Sequence, residues 1–364
     1  MKSLYYYNPN SAMRLGTSPD IIKWKKLYNW LSPGVALIDR VGNYTDPVNT
    51  ASCISCAIPA FRATTMSYRD CCNNRAKQLM DLSIKLQKPL GIMWSGGIDS
   101  TRVLVAFLEN YPLSVLKTHI RVIMSHESVI ENPEFYKKYI LPNFDLINSE
   151  YVPWLFDKSI IMVTGELNDQ LMGSDTMKSY RISNSAEFAN KFNKDHIMGY
   201  VSTMIKDPAV TAIVVNAVID SAEKYGRPLE LNCDWFWWWN FCFKWQCVWI
   251  RLLVLSMPKY WANINENFVT TYLHSFFSTD EFQLWSVANP LYRDMKSWSD
   301  YKKSTKQDIF NFDHNRDYLD NKIKKGSLYT IFSQRSIADA IDSDFNIIST
   351  IDMNHWYRLN NQFS

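Results

Sequence analysis

The chain has 364 residues, with 39 Lys and Arg against 36 Asp and Glu, a formal net charge of +3 and 47% hydrophobic residues. So large an apolar share excludes a disordered or fibrous chain, and so small a net charge is not the footprint of a nucleic-acid binder. The length suggests two domains, or one large domain with an appendage.

The first residues, Met-Lys-Ser-Leu-Tyr-Tyr-Tyr-Asn-Pro, contain no apolar stretch of signal-peptide length. The 7 cysteines are an odd number, which points to a reducing, cytoplasmic setting with free thiols. Residues 1–88 are read as a small N-terminal accessory region. Within it, the turn-like Arg40-Val41-Gly42-Asn43 between two strand-like stretches suggests a hairpin. Ala76, Leu79, Met80, Ile84 and Leu86 then recur at helical spacing over 71–88, until Pro89 stops the pattern. Cys53, Cys56, Cys71 and Cys72 leave two readings open, a zinc or thiol site and free buried thiols.

Residues 89–364 are read as the main domain. A short apolar run over 90–94 is followed by Ser95-Gly96-Gly97-Ile98-Asp99-Ser100, and helical spacing resumes over 101–110. Residues 120–124 and 159–164 are two further candidate strands, with a candidate helix over 133–140 between them. Strands alternating with helices predict an α/β fold, a parallel sheet flanked by helices. Residues 186–256 read as largely helical, forming a helical C-terminal part.

Within that stretch, residues 234–256 are rich in tryptophan. Asn240, Lys244, Gln246 and Arg251 interrupt the run, so it falls short of the roughly 20 apolar residues that a membrane span needs. Asn240, Lys244 and Arg251 share a helix face, which predicts a core helix whose polar stripe lines a cleft and forms a wall of an acceptor pocket. A platform for stacking bases is the other reading, without the basic surface that usually accompanies one.

The segment 95–100 carries the strongest chemical signal. Two glycines let the backbone approach an anion closely, and the helix that follows adds its positive N-terminal end. Ser95, Ser100 and Thr101 offer hydroxyls, and Asp99 is a hard oxygen ligand suited to Mg²⁺ on a phosphate chain.

Ser-Gly-Gly-X-Asp-Ser resembles the pyrophosphate-loop signature of the N-type ATP pyrophosphatases, which have the adenine nucleotide alpha hydrolase-like fold. Gly165-Glu166-Leu167-Asn168-Asp169-Gln170-Leu171-Met172-Gly173 resembles the Gly-Glu-Gly-Ser-Asp-Glu-Leu-Phe-Gly-Gly stretch of the asparagine synthetase and β-lactam synthetase branch. Leu167, Asn168, Gln170 and Ser174 depart from that pattern. The resemblance implies an ATP-dependent ligase that forms AMP and pyrophosphate, uses Mg²⁺ and joins an adenylated small-molecule acceptor to an amine or ammonia. It assigns the phosphate loop to Ser95, Gly96, Gly97, Asp99, Ser100, Thr101 and Gly165. It also gives the metal to Asp99 and Asp169, and proton handling to Glu166. In Lys302-Lys303-Ser304-Thr305-Lys306, it matches Lys303 and Lys306 to a Lys-X-X-Lys stretch and Lys322 or Lys324 to a later lysine. Lys306 and Lys324 are the catalytic expectation, offsetting charge at the reacting phosphorus.

Met124 and Ser125 are expected to read adenine, with His126 either structural or catalytic. Residue 2 is Lys where a glutamine-dependent synthetase carries its nucleophilic cysteine, so no glutaminase is expected. A thiolating or aminating enzyme acting on nucleobases or tRNA, and a non-catalytic nucleotide-binding relative, remain as alternatives.

Overall fold

The structure is a computed structural model that describes residues 40, 57–173, 175–245, 252, 256–296, 300 and 302–322. Cys53, Cys56, Arg251, Lys324 and all of the predicted hairpin except Arg40 lie outside these residues, as does the side chain of Lys244.

Five strands form one parallel sheet: β1 (Leu90–Met93), β2 (Ile120–Met124), β3 (Asp145–Asn148), β4 (Ile161–Thr164) and β5 (Leu273–Ser275). Their spatial order is β3-β2-β1-β4-β5. Leu90 lies level with both Ile120 and Ile161, and Met93 is level with Ile123 and Thr164. Every residue of β1 and β4 is buried, as expected where helices cover both faces of a parallel sheet. The chain leaves β1 toward β2 and β3, then returns to lay β4 on the other side. This reversal is the switch point beside which open α/β sheets open a crevice at their carboxyl ends.

The predicted helix over 71–88 forms as α1 (Tyr68–Leu86). It starts three residues earlier because Ser67 and Asp70 form a reciprocal cap, each accepting the other's backbone amide. The helix after β1, α2 (Ile98–Asn110), also starts earlier than its apolar spacing suggests and takes Asp99 and Ser100 into its first turn. α3 (Leu113–His119) leads directly into β2. The predicted helix over 133–140 is instead a short turn, Pro133–Phe135, continuing as a π-helix, Tyr136–Ile140. It is preceded by α4 (His126–Glu131).

After β4 come α5 (Asn168–Met172), α6 (Asp175–Ser183), α7 (Lys194–Ile205), α8 (Pro208–Lys224) and α9 (Asn232–Trp239). α10 (Glu266–Tyr272) precedes β5, and α11 (Asp280–Ala288), α12 (Lys303–Asp313) and α13 (Arg316–Asn321) follow it.

The tryptophan-rich stretch is core, as expected: Trp235, Trp237, Trp238, Trp239 and Trp245 are buried. Of its predicted stripe, Asn240 lies where the α-helix gives way to a π-helix, Asn240–Lys244, whose wider turn departs from regular α-helical spacing. Among the described residues, no helix is long and apolar enough to cross a membrane.

Candidate active site

The loop between β1 and α2 is shaped by its neighbours. Gly96 has φ +73°, and a Cβ there would lie 2.3 Å from the Ser128 carbonyl oxygen and 2.6 Å from Glu131 Cβ. Only glycine fits both that conformation and that space. Ser95 N–H donates to Ser100 Oγ at 3.0 Å, and the Ser100 hydroxyl contacts Ser95 Oγ at 3.1 Å, so the loop closes on itself. Its far side is held by α13, where the Tyr318 hydroxyl donates to the Gly96 carbonyl oxygen at 2.9 Å. Burial pushes the Tyr318 phenol well above its ordinary pKa, so it remains a donor.

Thr101 stands behind the loop. It is buried, and Oγ1 accepts the Trp94 indole N–H at 3.0 Å, so the hydroxyl fixes the strand end behind the loop. The α2 amides at the loop lack intrahelical acceptors by helix geometry, leaving the anion-binding capacity to the backbone.

The β4 loop rests directly on this one. A Cβ on Gly165 would lie 2.8 Å from the Ser100 amide nitrogen and 3.0 Å from the Asp99 carbonyl carbon. Leu167, where the family pattern has glycine, has φ +79° and is buried. The turn keeps a left-handed backbone while its leucine side chain joins the core, at a conformational cost of about 1–2 kcal/mol. Ser174, another departure from the pattern, lies outside the described residues.

Asp99 and Asp169 are brought together by a residue that the sequence reading passed over. Lys302 Nζ lies 2.5 Å from Asp99 Oδ2 and 2.5 Å from Asp169 Oδ1. Asn168 Nδ2 donates to Asp99 Oδ1 at 2.7 Å, and Asn168 Oδ1 accepts the Tyr68 hydroxyl at 2.9 Å. One ammonium between two carboxylates leaves a net charge of −1. Burial raises the Asp99 carboxyl pKa; Lys302 pulls it back and Asp169 adds to the rise. Burial alone would depress the Lys302 pKa, but Asp169 and Asp99 outweigh it and hold it above the ordinary lysine value.

Further lysines approach from the same side. Lys306 is one turn beyond Lys302 on α12, its amide bonded to the Lys302 carbonyl at 2.9 Å. Its pKa is lowered by burial and by nearby Lys322. Lys322 Nζ pairs with Glu131 Oε2 at 2.9 Å; Glu131 is buried and Lys322 mostly so. Glu131 Oε2 is only 3.8 Å from where a Gly97 Cβ would stand, so this pair borders the loop. Lys322 therefore stands where the sequence reading left a choice with Lys324, which lies outside the described residues.

Glu166 is half-buried after Gly165, with its amide donating to Thr164 Oγ1 at 3.3 Å. Ser125 caps α4 at the carboxyl end of β2 and contacts Ser128 Oγ at 3.4 Å; His126 is exposed. Asn240 is fully buried and turned to a different task from the one expected. Its Nδ2 donates to the Asp169 carbonyl oxygen at 3.2 Å, and its Oδ1 accepts from Gln170 Nε2 at 3.5 Å, so it fixes α5 rather than lining a cleft.

Comparison with protein-family models, with curated proteins and with solved structures found no match.

Of the cysteine alternative, the geometry bears on Cys71 and Cys72 alone, since Cys53 and Cys56 lie outside the described residues. Cys71 and Cys72 are free and buried on α1, and burial pushes each thiol up to about 12, far from the reactive thiolate range. Among the described residues, no three His, Cys, Asp or Glu side chains gather to hold a metal.

A signal for Lys302 was present in the sequence. Lys302 and Lys306 are four apart, so a helix starting near 303 places them on one face. Asn168, Tyr68 and Tyr318 had no such signal, because each acts across a long sequence separation.

Proposed function

We propose that this chain is an ATP-dependent, AMP-forming ligase of the asparagine synthetase type, with the adenine nucleotide alpha hydrolase-like fold. The observation that carries the reading is the pairing of Asp99 and Asp169 on one ammonium, beside the Gly96-Gly97 loop at the sheet's switch point.

The pyrophosphate part of ATP would lie against the amides of the loop and α2, with Lys302, Lys306 and Lys322 opposite its oxygens. Asp99 and Asp169 fit Mg²⁺. Their Lys302-bound oxygens are no more than about 5 Å apart, and a dication bound by two carboxylates and phosphate oxygens is ordinary magnesium chemistry. When bound, Mg²⁺ would neutralise the phosphate oxygens. Ser125 and Met124, at the end of β2, would meet the adenine.

The acceptor's carboxylate or amide-like oxygen attacks the α-phosphorus. A new P–O bond forms, the bond to the pyrophosphate oxygen breaks, and pyrophosphate leaves with that electron pair. The lysines offset the charge that builds on the departing group. An amine or ammonia then attacks the acyl carbon, AMP departs, and Glu166 takes the proton released from nitrogen. The partners in this reading are a small-molecule acceptor and a nitrogen donor in the cytoplasm, with no role for nucleic acid or membrane.

The test is product analysis with ATP, Mg²⁺ and pooled small metabolites. AMP and pyrophosphate from the wild type, falling at least a hundredfold in Asp99→Asn, are expected. ADP and phosphate, or no turnover with any pool, would overturn the reading.

A further inference from the structure

We propose that Lys302 is a built-in occupant of the cation seat, closing the Asp99–Asp169 pair to free metal until a polyphosphate arrives to receive its ammonium. The proposal rests on the reading above for the nature of that polyphosphate, but the closed seat stands on geometry alone.

The seat is braced from behind, although the Asp169 side chain is itself 52% exposed. Asp99 is held by Asn168, which is in turn held by Tyr68. The backbone of Asp169 is held by Asn240. Lys302 begins α12 from a left-handed backbone, φ +57°, a conformation uncommon for a residue other than glycine. α12 is docked on α2, where Asp308 Oδ2 stands 3.6 Å from the fully buried Arg102. The ammonium therefore reaches both carboxylates from a braced position, with its side chain 6% exposed.

The energetic consequence depends on what could replace it. A dication arriving alone must displace an ammonium with almost no access to water, and an unpaired buried ammonium is strongly unfavourable. A polyphosphate on the Gly96-Gly97 loop changes that balance. It offers anionic oxygens within the swing of a four-carbon stem, so Lys302 can leave the carboxylates without losing a partner. Metal and polyphosphate binding are then positively coupled, and the metal enters with the nucleotide rather than before it. The apparent affinity for free metal is reduced by the small fraction of molecules whose seat is open.

The experiment needs no turnover, so its failure is distinguishable from failure of the ligase reading. Mn²⁺ is titrated into nucleotide-free protein, and free Mn²⁺ is read by electron paramagnetic resonance. Lys302→Met, which keeps the apolar stem, is expected to bind Mn²⁺ at least tenfold more tightly than wild type, and Mg²⁺ alone should raise its melting temperature. Lys302→Gln serves as a second variant. Equal Mn²⁺ affinity in the wild type and a folded Lys302 variant would overturn the proposal. So would wild-type binding below about 0.1 mM that Asp169→Asn abolishes, a result that needs no Lys302 variant to fold. In EDTA, α,β-methylene-ATP is expected to raise the melting temperature of the wild type and not of Lys302→Met. Equal shifts would overturn the transfer of the ammonium to phosphate.

Discussion

Adding one methyl group to the loop tests whether its shape is imposed by the packing around it. In Gly96→Ala the new Cβ meets the Ser128 carbonyl oxygen at 2.3 Å and Glu131 Cβ at 2.6 Å, and φ is +73°. A left-handed alanine costs about 1–2 kcal/mol. The closest clash is with helical backbone, which cannot rotate aside, so overpacking adds about 1–3 kcal/mol. Gly97→Ala is the control. Its φ is −73°, an ordinary value for alanine, and the nearest atom is the rotatable Ser95 hydroxyl at 3.0 Å. Urea unfolding should place Gly96→Ala about 2–5 kcal/mol below wild type and Gly97→Ala within about 1 kcal/mol. Nucleotide affinity, read by titration calorimetry at a temperature where both variants are folded, should fall much further for Gly96→Ala. If the two variants lose equal stability, the loop is not held as described.

Two other perturbations follow from the site and the sheet edge. Asn168→Ala removes a partner from both the Tyr68 hydroxyl and Asp99 Oδ1, and should cost about 1–3 kcal/mol in urea unfolding. MgATP binding should weaken with it; unchanged affinity would mean that Asp99 needs no such brace. On β5, burial and nearby Arg75 lower the His274 pKa from 6.5 to about 4, despite the Thr271 carbonyl within 3.1 Å of Nε2. The unfolded state therefore takes up a proton that the folded state refuses, and stability present above about pH 6.5 is lost as pH falls toward 4. Between pH 6.5 and 5 this amounts to about 2 kcal/mol, and the loss should disappear in His274→Gln.

The sequence made the central strands legible because β1, β2 and β4 are apolar runs that end at glycine or serine turns. The two outer strands gave no comparable signal: β3 starts at exposed Asp145, and β5 is three residues long with a histidine at its centre. The glycine loop and both aspartates could be found because glycine and carboxylate chemistry is local. Lys302 was passed over for Lys303 and Lys306 because a lysine run looks alike at every position until a helix start fixes its phase. Asn240 was seen, but its task was misread, since its bonds to the Asp169 carbonyl and to Gln170 cross some 70 residues and leave no local pattern. Leu167 looked like a damaged motif, whereas its backbone has the conformation a glycine would favour.

The distance along the chain between the halves of this site has a consequence for how the protein is made. Lys302 and Asp99 are 203 residues apart, and Tyr318 is 222 from Gly96. At translation speeds of about 5–20 residues per second, Asp99 and the loop exist for roughly 10–40 s, and Asp169 for roughly 7–27 s, before the lysine that neutralises them. Over the shorter of these intervals a nascent chain carries two like charges and an unbraced glycine turn. Closing so long a loop is also slow. The proposed phosphate site is thus assembled late, and incomplete chains lack the residues that would let them sequester a nucleotide.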